Sequence, residues 1–204
     1  MLNIDYNALQ PVSFLLAGVG GQGTILASDI LAEVGLKLGY DVKKAEIHGM
    51  SQRGGSVVSN LRWAPQVFSP IVSKGTADVL IAFEKIEAVR FADFLRKGGT
   101  ALVNDYAIPP VTVSSGSSVY PDDETIRIGL AQFTDEQFWV KGMTIAESIG
   151  NVKTANVVMI GAFTRLIGLP LDAALAGIEA RVPGKHLSIN QRAFEAGLSA
   201  LALS

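Results

Sequence analysis

Two short stretches, GVGGQG from Gly18 to Gly23 and IHGMSQRGGS from Ile47 to Ser56, carry the residue types in this chain best suited to holding a ligand. Gly18, Gly20 and Gly23 match G-x-G-x-x-G, the spacing at which a chain turns tightly out of a strand and opens a helix whose free N–H groups attract an anion. Gly21 lies among them, and Gln22 and Thr24 add side chains able to hydrogen-bond. In the second stretch Arg53 offers a planar fork for carboxylate or phosphate, with Ser51 and Gln52 beside it. Gly54 and Gly55 let backbone approach closely. His48 can titrate near neutrality or fix a loop by two hydrogen bonds. Without a ligand, the glycines would build only a strand-to-helix turn.

A dinucleotide site needs more, namely an acid at the end of the second strand, about 20 residues past the glycine loop, to hold the ribose. Asp41 has that spacing but stands at the start of the expected strand, and Glu46 stands nearer the right end but late. Glu84, Asp105 and Glu147 fall near strand ends or loops and read as solvated carboxylates. His186, the only other histidine, reads as part of a surface turn.

The elements that must position these residues follow from periodicity. Ser13–Ala17 is a short apolar run, and Thr24–Leu38 sets Ile25, Ile30, Leu31, Val34 and Leu38 at helical spacing. Val42–Ile47 alternates as a strand, which gives β-α-β and parallel strands. Ser56–Trp63 reads as a further strand and Val79–Phe83 as a buried one. Glu84–Lys97 reads as a helix ended by Gly98 and Gly99, and Thr100–Val103 as a strand reaching Asn104 and Asp105. Pro109–Pro121 reads as a loop or an edge excursion, and Thr125–Leu130 as a short strand. Asn151–Ile167, Pro170–Ala180 and Ser188–Leu203, the last with Ser188 as N-cap, are helices. The expected fold is α/β: a Rossmann-like open, mainly parallel sheet with helices on both faces and a C-terminal helical cluster, in a single domain over 1–204.

Composition narrows the chemistry. With 49% hydrophobic and 18% charged residues in 204, the chain is rich in core. A net charge of −2 with scattered Lys and Arg lacks the footprint of a nucleic-acid binder. No apolar run reaches the roughly 20 residues a membrane span needs, so a cytoplasmic protein is expected. There is no cysteine. Thiolate-bound iron–sulfur clusters, cysteine zinc sites and cysteine nucleophiles are therefore impossible within these residues. Two distant histidines make no metal site, and neither a GxSxG nor a P-loop is present.

GVGGQG followed by HGMSQRGGSVVS resembles the gamma-type subunits or domains of 2-oxoacid:ferredoxin oxidoreductases, in particular their indolepyruvate branch. ADVLIAFEKIEAVR (Ala77–Arg90), the strand to Asn104 and Asp105, and IAESIGNVKTANVVMIGAF (Ile145–Phe163) extend the likeness over nearly the whole chain. Related subunits for pyruvate or 2-oxoglutarate carry other residues where HGMSQRGG stands. The resemblance implies oxidative decarboxylation of a 2-oxoacid, an arylpyruvate in this branch, to an acyl-CoA, with electrons passed to ferredoxin through the complex. It places thiamine diphosphate, magnesium and the iron–sulfur clusters on a large partner subunit, with coenzyme A as co-substrate. No cofactor is then bound by this chain alone, and its role is accessory. Gly18, Gly20, Gly21, Gln22, Gly23, Thr24, His48, Ser51, Gln52, Arg53, Gly54 and Gly55 are its candidate ligand or partner contacts. A free-standing nucleotide-binding or regulatory module and an independent NAD-dependent dehydrogenase are the competing readings of the glycine loop.

Overall fold

The computed structural model describes residues 4–48 and 55–201. Its centre is β1 (Val12–Val19), a strand buried along its whole length. Phe14 and Leu16 point into one apolar cluster and Leu15 and Ala17 into another. A strand covered on both faces loses the polar alternation of a surface strand, which is why SFLLA reads as a continuous apolar run. After it come α1 (Thr24–Lys37), β2 (Asp41–His48), β3 (Ser56–Ala64), β4 (Ala77–Ala82), α2 (Lys85–Arg90) and β5 (Leu95–Asn104). A one-turn α3 (Val111–Ser114), α4 (Asp123–Ala131), β6 (Gln137–Val140), α5 (Gly142–Ile149), α6 (Ala155–Ile167), α7 (Leu171–Arg181) and α8 (Leu187–Leu198) complete the order.

The six strands form one sheet in the order β2-β3-β1-β4-β5-β6. β4 lies parallel to β1, β5 to β4 and β6 to β5. β3 is antiparallel to both β1 and β2. Thus β1 and β2 run in the same direction, as their β-α-β order requires, but β3 separates them. The larger cluster packs α1 and α6–α8 on one face around Phe14, Trp63 and Phe163, whose rings meet edge to face at 4.6 and 5.9 Å from Phe14. The other face is covered by α2 and α4, through Ala88 and Leu130.

Four local expectations are corrected. The helix expected over Glu84–Lys97 stops at Arg90, and the chain turns through Ala92–Phe94 into β5, whose Leu95 pairs with Ala77. Gly98 and Gly99 lie inside that strand. Thr125–Leu130 is part of a helix: the Asp122 carboxylate caps it by accepting the Thr125 N–H at 2.8 Å, and Ile126 and Leu130, one turn apart, are buried. Ile128, which completed the apparent alternation, is exposed. The four-residue β6 and α5 fall where no element was expected. Ser188 lies within the first turn of α8, whose N-cap is His186.

Helix α6 is buried at every position but Arg165, so neighbours must approach it closely. At its crossing with α8 a Cβ on Gly197 would stand 2.1 Å from the Val158 carbonyl oxygen. We expect Gly197→Ala to lower the unfolding free energy by about 1–3 kcal/mol, the usual cost of overpacking. Gly184→Ala, which meets no atom within 4 Å, should be near neutral. Urea unfolding of the two variants checks the contrast.

Candidate functional site

The parallel strands β1, β4, β5 and β6 end side by side, and carboxamide side chains link the ends. Gln22 accepts the Val19 N–H on Oε1 at 2.8 Å and donates from Nε2 to the Phe83 carbonyl at 2.6 Å. The same carbonyl accepts Asn104 Nδ2 at 3.1 Å, and Asn104 Oδ1 accepts the Gly142 N–H at 2.9 Å. Asn156 on α6 donates to the Gly23 carbonyl at 3.2 Å. An amide carries donor and acceptor together, so one side chain can join two backbones of opposite polarity.

The glycines take different roles from those their spacing suggests. Gly18 lies in β1, where a Cβ would meet Thr24 Oγ1 at 2.7 Å and Gln22 Oε1 at 3.0 Å. It is therefore Gly18 that admits close packing of the loop on the strand. Gly21 and Gly23 turn the chain, with φ of 103° and 78°. Gly23 is the N-cap of α1 and has no room for a side chain, because Asn156 Nδ2 would stand 2.5 Å from its Cβ. With no side-chain cap and no acid in the first turn, α1 keeps its leading N–H groups and partial positive charge for another acceptor. Gln22 spends its amide on the Val19 N–H and the Phe83 carbonyl. Thr24 Oγ1 is buried against Gly18 with no hydrogen-bond partner among the described residues.

The second motif connects two antiparallel strands. His48 ends β2 opposite Val57 of β3, and Gly49–Gly54, which include Ser51, Gln52 and Arg53, lie outside the described residues. Gly55 follows, and its carbonyl accepts the Gly20 N–H at 2.9 Å, so the two motifs meet. The same topology disposes of a ribose acid. The strand beside β1 is β3, which presents its amino end to the glycine loop, while Asp41 binds the Val67 N–H and Lys43 and Glu46 pairs with Lys44.

A cavity of about 280 Å³ opens over the glycine loop. Gly20, Gly21 and Gln22 form one wall, Tyr106 and Ile108 another, and Phe83, Met143 and Val152 give it apolar surface. Lys153 borders it, exposed and without an ion pair to a described residue, beside Asn156. The combination suits a ligand with an anionic group and an apolar arm. Among the described residues no group of three His, Asp or Glu could hold a metal ion.

Beyond Ile108 lies a second chamber of about 110 Å³, lined by Ser56, Glu84, Glu87 and Arg90. The expectation of a solvated Glu84 is corrected: it is 1% exposed and caps α2, its Oε2 accepting the Glu87 N–H at 3.0 Å. Glu147 is exposed, and Asp105 sits 3.6 Å from Lys85. Burial pushes the Glu87 carboxyl above its usual range, opposed by the Ser56 hydroxyl and Arg90 and assisted by Glu84. Lys85 is held above its usual value because Asp123 and Asp105 outweigh its desolvation. The sequence signal for these residues was faint: an Asn ending an apolar strand, an Asn opening an apolar helix, and an acid directly after VLIAF.

Residues 13–200 match the family of pyruvate ferredoxin/flavodoxin oxidoreductases. The chain is 40% identical over 195 residues to indolepyruvate oxidoreductase subunit IorB of Pyrococcus horikoshii, covering 94% of this chain and 96% of that one. It is 39% identical over 195 residues to the same subunit of Thermococcus kodakarensis, with the same coverage of both chains. The gamma subunit of a keto/oxoacid ferredoxin oxidoreductase from Geobacter sulfurreducens shares the fold, with a TM-score of 0.67, 23% identity and coverage of 93% and 97%.

Two outcomes follow from the geometry. Gln22→Ala strands the buried Val19 N–H and should cost about 1–3 kcal/mol of stability, measured by urea unfolding. Because the folded pKa of Glu87 is raised, the protein should lose stability as pH rises from about 4.3, the ordinary glutamate value, through that raised pKa. Glu87→Gln should flatten this part of the profile, which thermal unfolding across the acid range would show.

Proposed function

The chain belongs to the pyruvate ferredoxin/flavodoxin oxidoreductase family, and from that membership and the edge geometry we propose that it is the accessory subunit of a cytoplasmic 2-oxoacid:ferredoxin oxidoreductase acting on indolepyruvate or a related arylpyruvate. In the overall reaction the 2-oxoacid and the coenzyme A thiol give an acyl-CoA, carbon dioxide, one proton and two electrons. The electrons reduce ferredoxin. The substrate class rests on the 40% identity to the indolepyruvate subunit. The whole of 1–204 acts in this reading as one gamma-type domain.

The redox chemistry belongs to the large partner subunit. A chain with no cysteine offers no thiolate for a cluster, and its described residues hold no cluster of carboxylates and imidazoles for the magnesium of thiamine diphosphate. When bound on the partner, thiamine diphosphate supplies the stabilised carbanion that decarboxylation needs.

This chain's own contribution is to complete the region where coenzyme A enters. The observation that carries this is the cavity over the glycine loop that opens the uncapped α1, which sets Gly20, Gly21, Gln22 and Lys153 beside Phe83, Met143 and Val152. The N–H groups and the ammonium attract a phosphate-bearing group, and the apolar wall accepts a linear arm and keeps water from it. His48, Ser51, Gln52 and Arg53 are proposed as its ligand or partner contacts, and Gly55, which follows them in the sequence, accepts the Gly20 N–H. The absence of an acid in the ribose position argues against hydride transfer by the lone chain.

Co-expression with a thiamine-binding, cysteine-rich partner should give a stable complex that reduces ferredoxin with indolepyruvate and coenzyme A, and neither chain should turn over alone. Absence of a complex together with full activity of the partner by itself would refute the assignment. Arg53→Ala should lower kcat/KM of the complex between about ten- and a hundredfold, the worth of one charge-assisted hydrogen bond, with an unchanged melting temperature of this chain.

A further inference from the structure

Glu84 is nearly inaccessible to solvent, carries a carboxylate with no cation against it among the described residues, and does more than cap α2. Its Oε2 accepts the Glu87 N–H at 3.0 Å. Its Oε1 accepts two further donors, the Ile108 N–H at 3.0 Å and the Tyr120 hydroxyl at 2.5 Å. Ile108 and Tyr120 stand near the two ends of the segment that leaves β5 and returns to α4. One carboxylate therefore gathers a helix start and both ends of the stretch from Ile108 to Tyr120, with Lys85 adding an N–H to the Tyr106 carbonyl at 3.1 Å and ion pairs to Asp105 and Asp123.

The start of the segment borders the cleft. Tyr106 and Ile108 face the glycine loop across the larger cavity, and Ile108 also lines the smaller chamber, so its position divides one space from the other. Its location is not set by packing alone. Val111 and Val119 within the segment are 82% and 90% exposed, so the polar contacts of Glu84 and Lys85 contribute to holding it. We propose that Glu84 is a positioning residue for coenzyme A: its carboxylate, with the Tyr120 hydroxyl as latch, holds the segment so that Tyr106 and Ile108 keep their place in the lining of the cavity over the glycine loop. This rests on the subunit assignment above.

The side-chain chemistry makes the inference separable by mutation. An ionised carboxylate is an acceptor at both oxygens. Glu84→Gln places an NH₂ at one of them and must set donor against donor, either at the Glu87 N–H or at the Ile108 N–H. Tyr120→Phe removes the latch alone and leaves Glu84, its cap on α2 and the Ile108 contact in place.

Both variants are to be assembled with the partner subunit and examined by coenzyme A kinetics and by amide hydrogen exchange on the full chain. With Tyr120→Phe the KM for coenzyme A should rise about three- to tenfold, the scale of one hydrogen bond, while kcat changes much less. Exchange should quicken within 109–120 and stay slow in the glycine loop. Glu84→Gln should extend the faster exchange to Ile108 and the first turn of α2 and raise KM further. Faster exchange with an unchanged KM, or a fall in kcat alone, would overturn the positioning role by itself, and unaltered exchange would overturn the latch. Failure of the wild-type complex to form or to consume coenzyme A would overturn the subunit assignment and this role together.

Discussion

The Phe83 carbonyl oxygen is the point through which the carboxyl edge of the sheet is joined. Gln22 reaches it from the loop after β1 and Asn104 from the end of β5, and Asn104 passes on to the Gly142 N–H after β6. Four strand ends are tied by two amides. Backbone groups just beyond a strand lose their ladder partners, and burying them unpaired would cost about 1–3 kcal/mol each. Carboxamides satisfy both polarities without bringing charge into the edge. Because the loop spends Gln22 in this way, what it offers a ligand is main-chain N–H rather than side chain.

The second governing constraint is the antiparallel β3. Placed between β1 and β2, it turns a sequence that reads as a nucleotide-binding unit into something else. In a dinucleotide fold the strand beside β1 ends where the ligand lies and carries the ribose acid there. Here that neighbour begins at the ligand side, so the edge receives the amino end of β3. Gly55, directly before that strand, thereby meets the glycine loop, its carbonyl accepting the Gly20 N–H. An accessory subunit that keeps a phosphate-attracting helix start yet gives up ribose recognition agrees with this exchange of one neighbour for another.

Charge is distributed to match. The buried carboxylates of Glu84 and Glu87 sit on the far side of Ile108 from the helix N-terminus, each saturated by local donors. Lys153 borders the larger cavity, beside the glycine loop. Lys153 and the two buried carboxylates thus border separate chambers, with Ile108 lining both, a division that depends on where the segment is held.

Much of this was legible in one dimension. The central strand, the glycine turn, α1, β2, β3 and the helices from Ala155 onward announce themselves because each is defined by local periodicity and a glycine or proline stop. The family likeness was legible too, carried by HGMSQRGG. Three things were not. Thr125–Leu130 alternates like a strand, and only the exposure of Ile128 shows that it is a helix with a two-residue buried stripe. Glu84 looks like any acid after a strand until Ile108 and Tyr120, distant in sequence, are brought to it. The place of β3 in the sheet depends on which strand pairs with β1, and apolar alternation is the same for either direction of pairing. Local sequence thus specifies which segments extend, turn and coil, since that follows from side chains a few residues apart. The burial of Glu84, the sharing of the Phe83 carbonyl and the meeting of the two motifs depend on contacts between distant segments, and those exist only once the sheet has chosen its order.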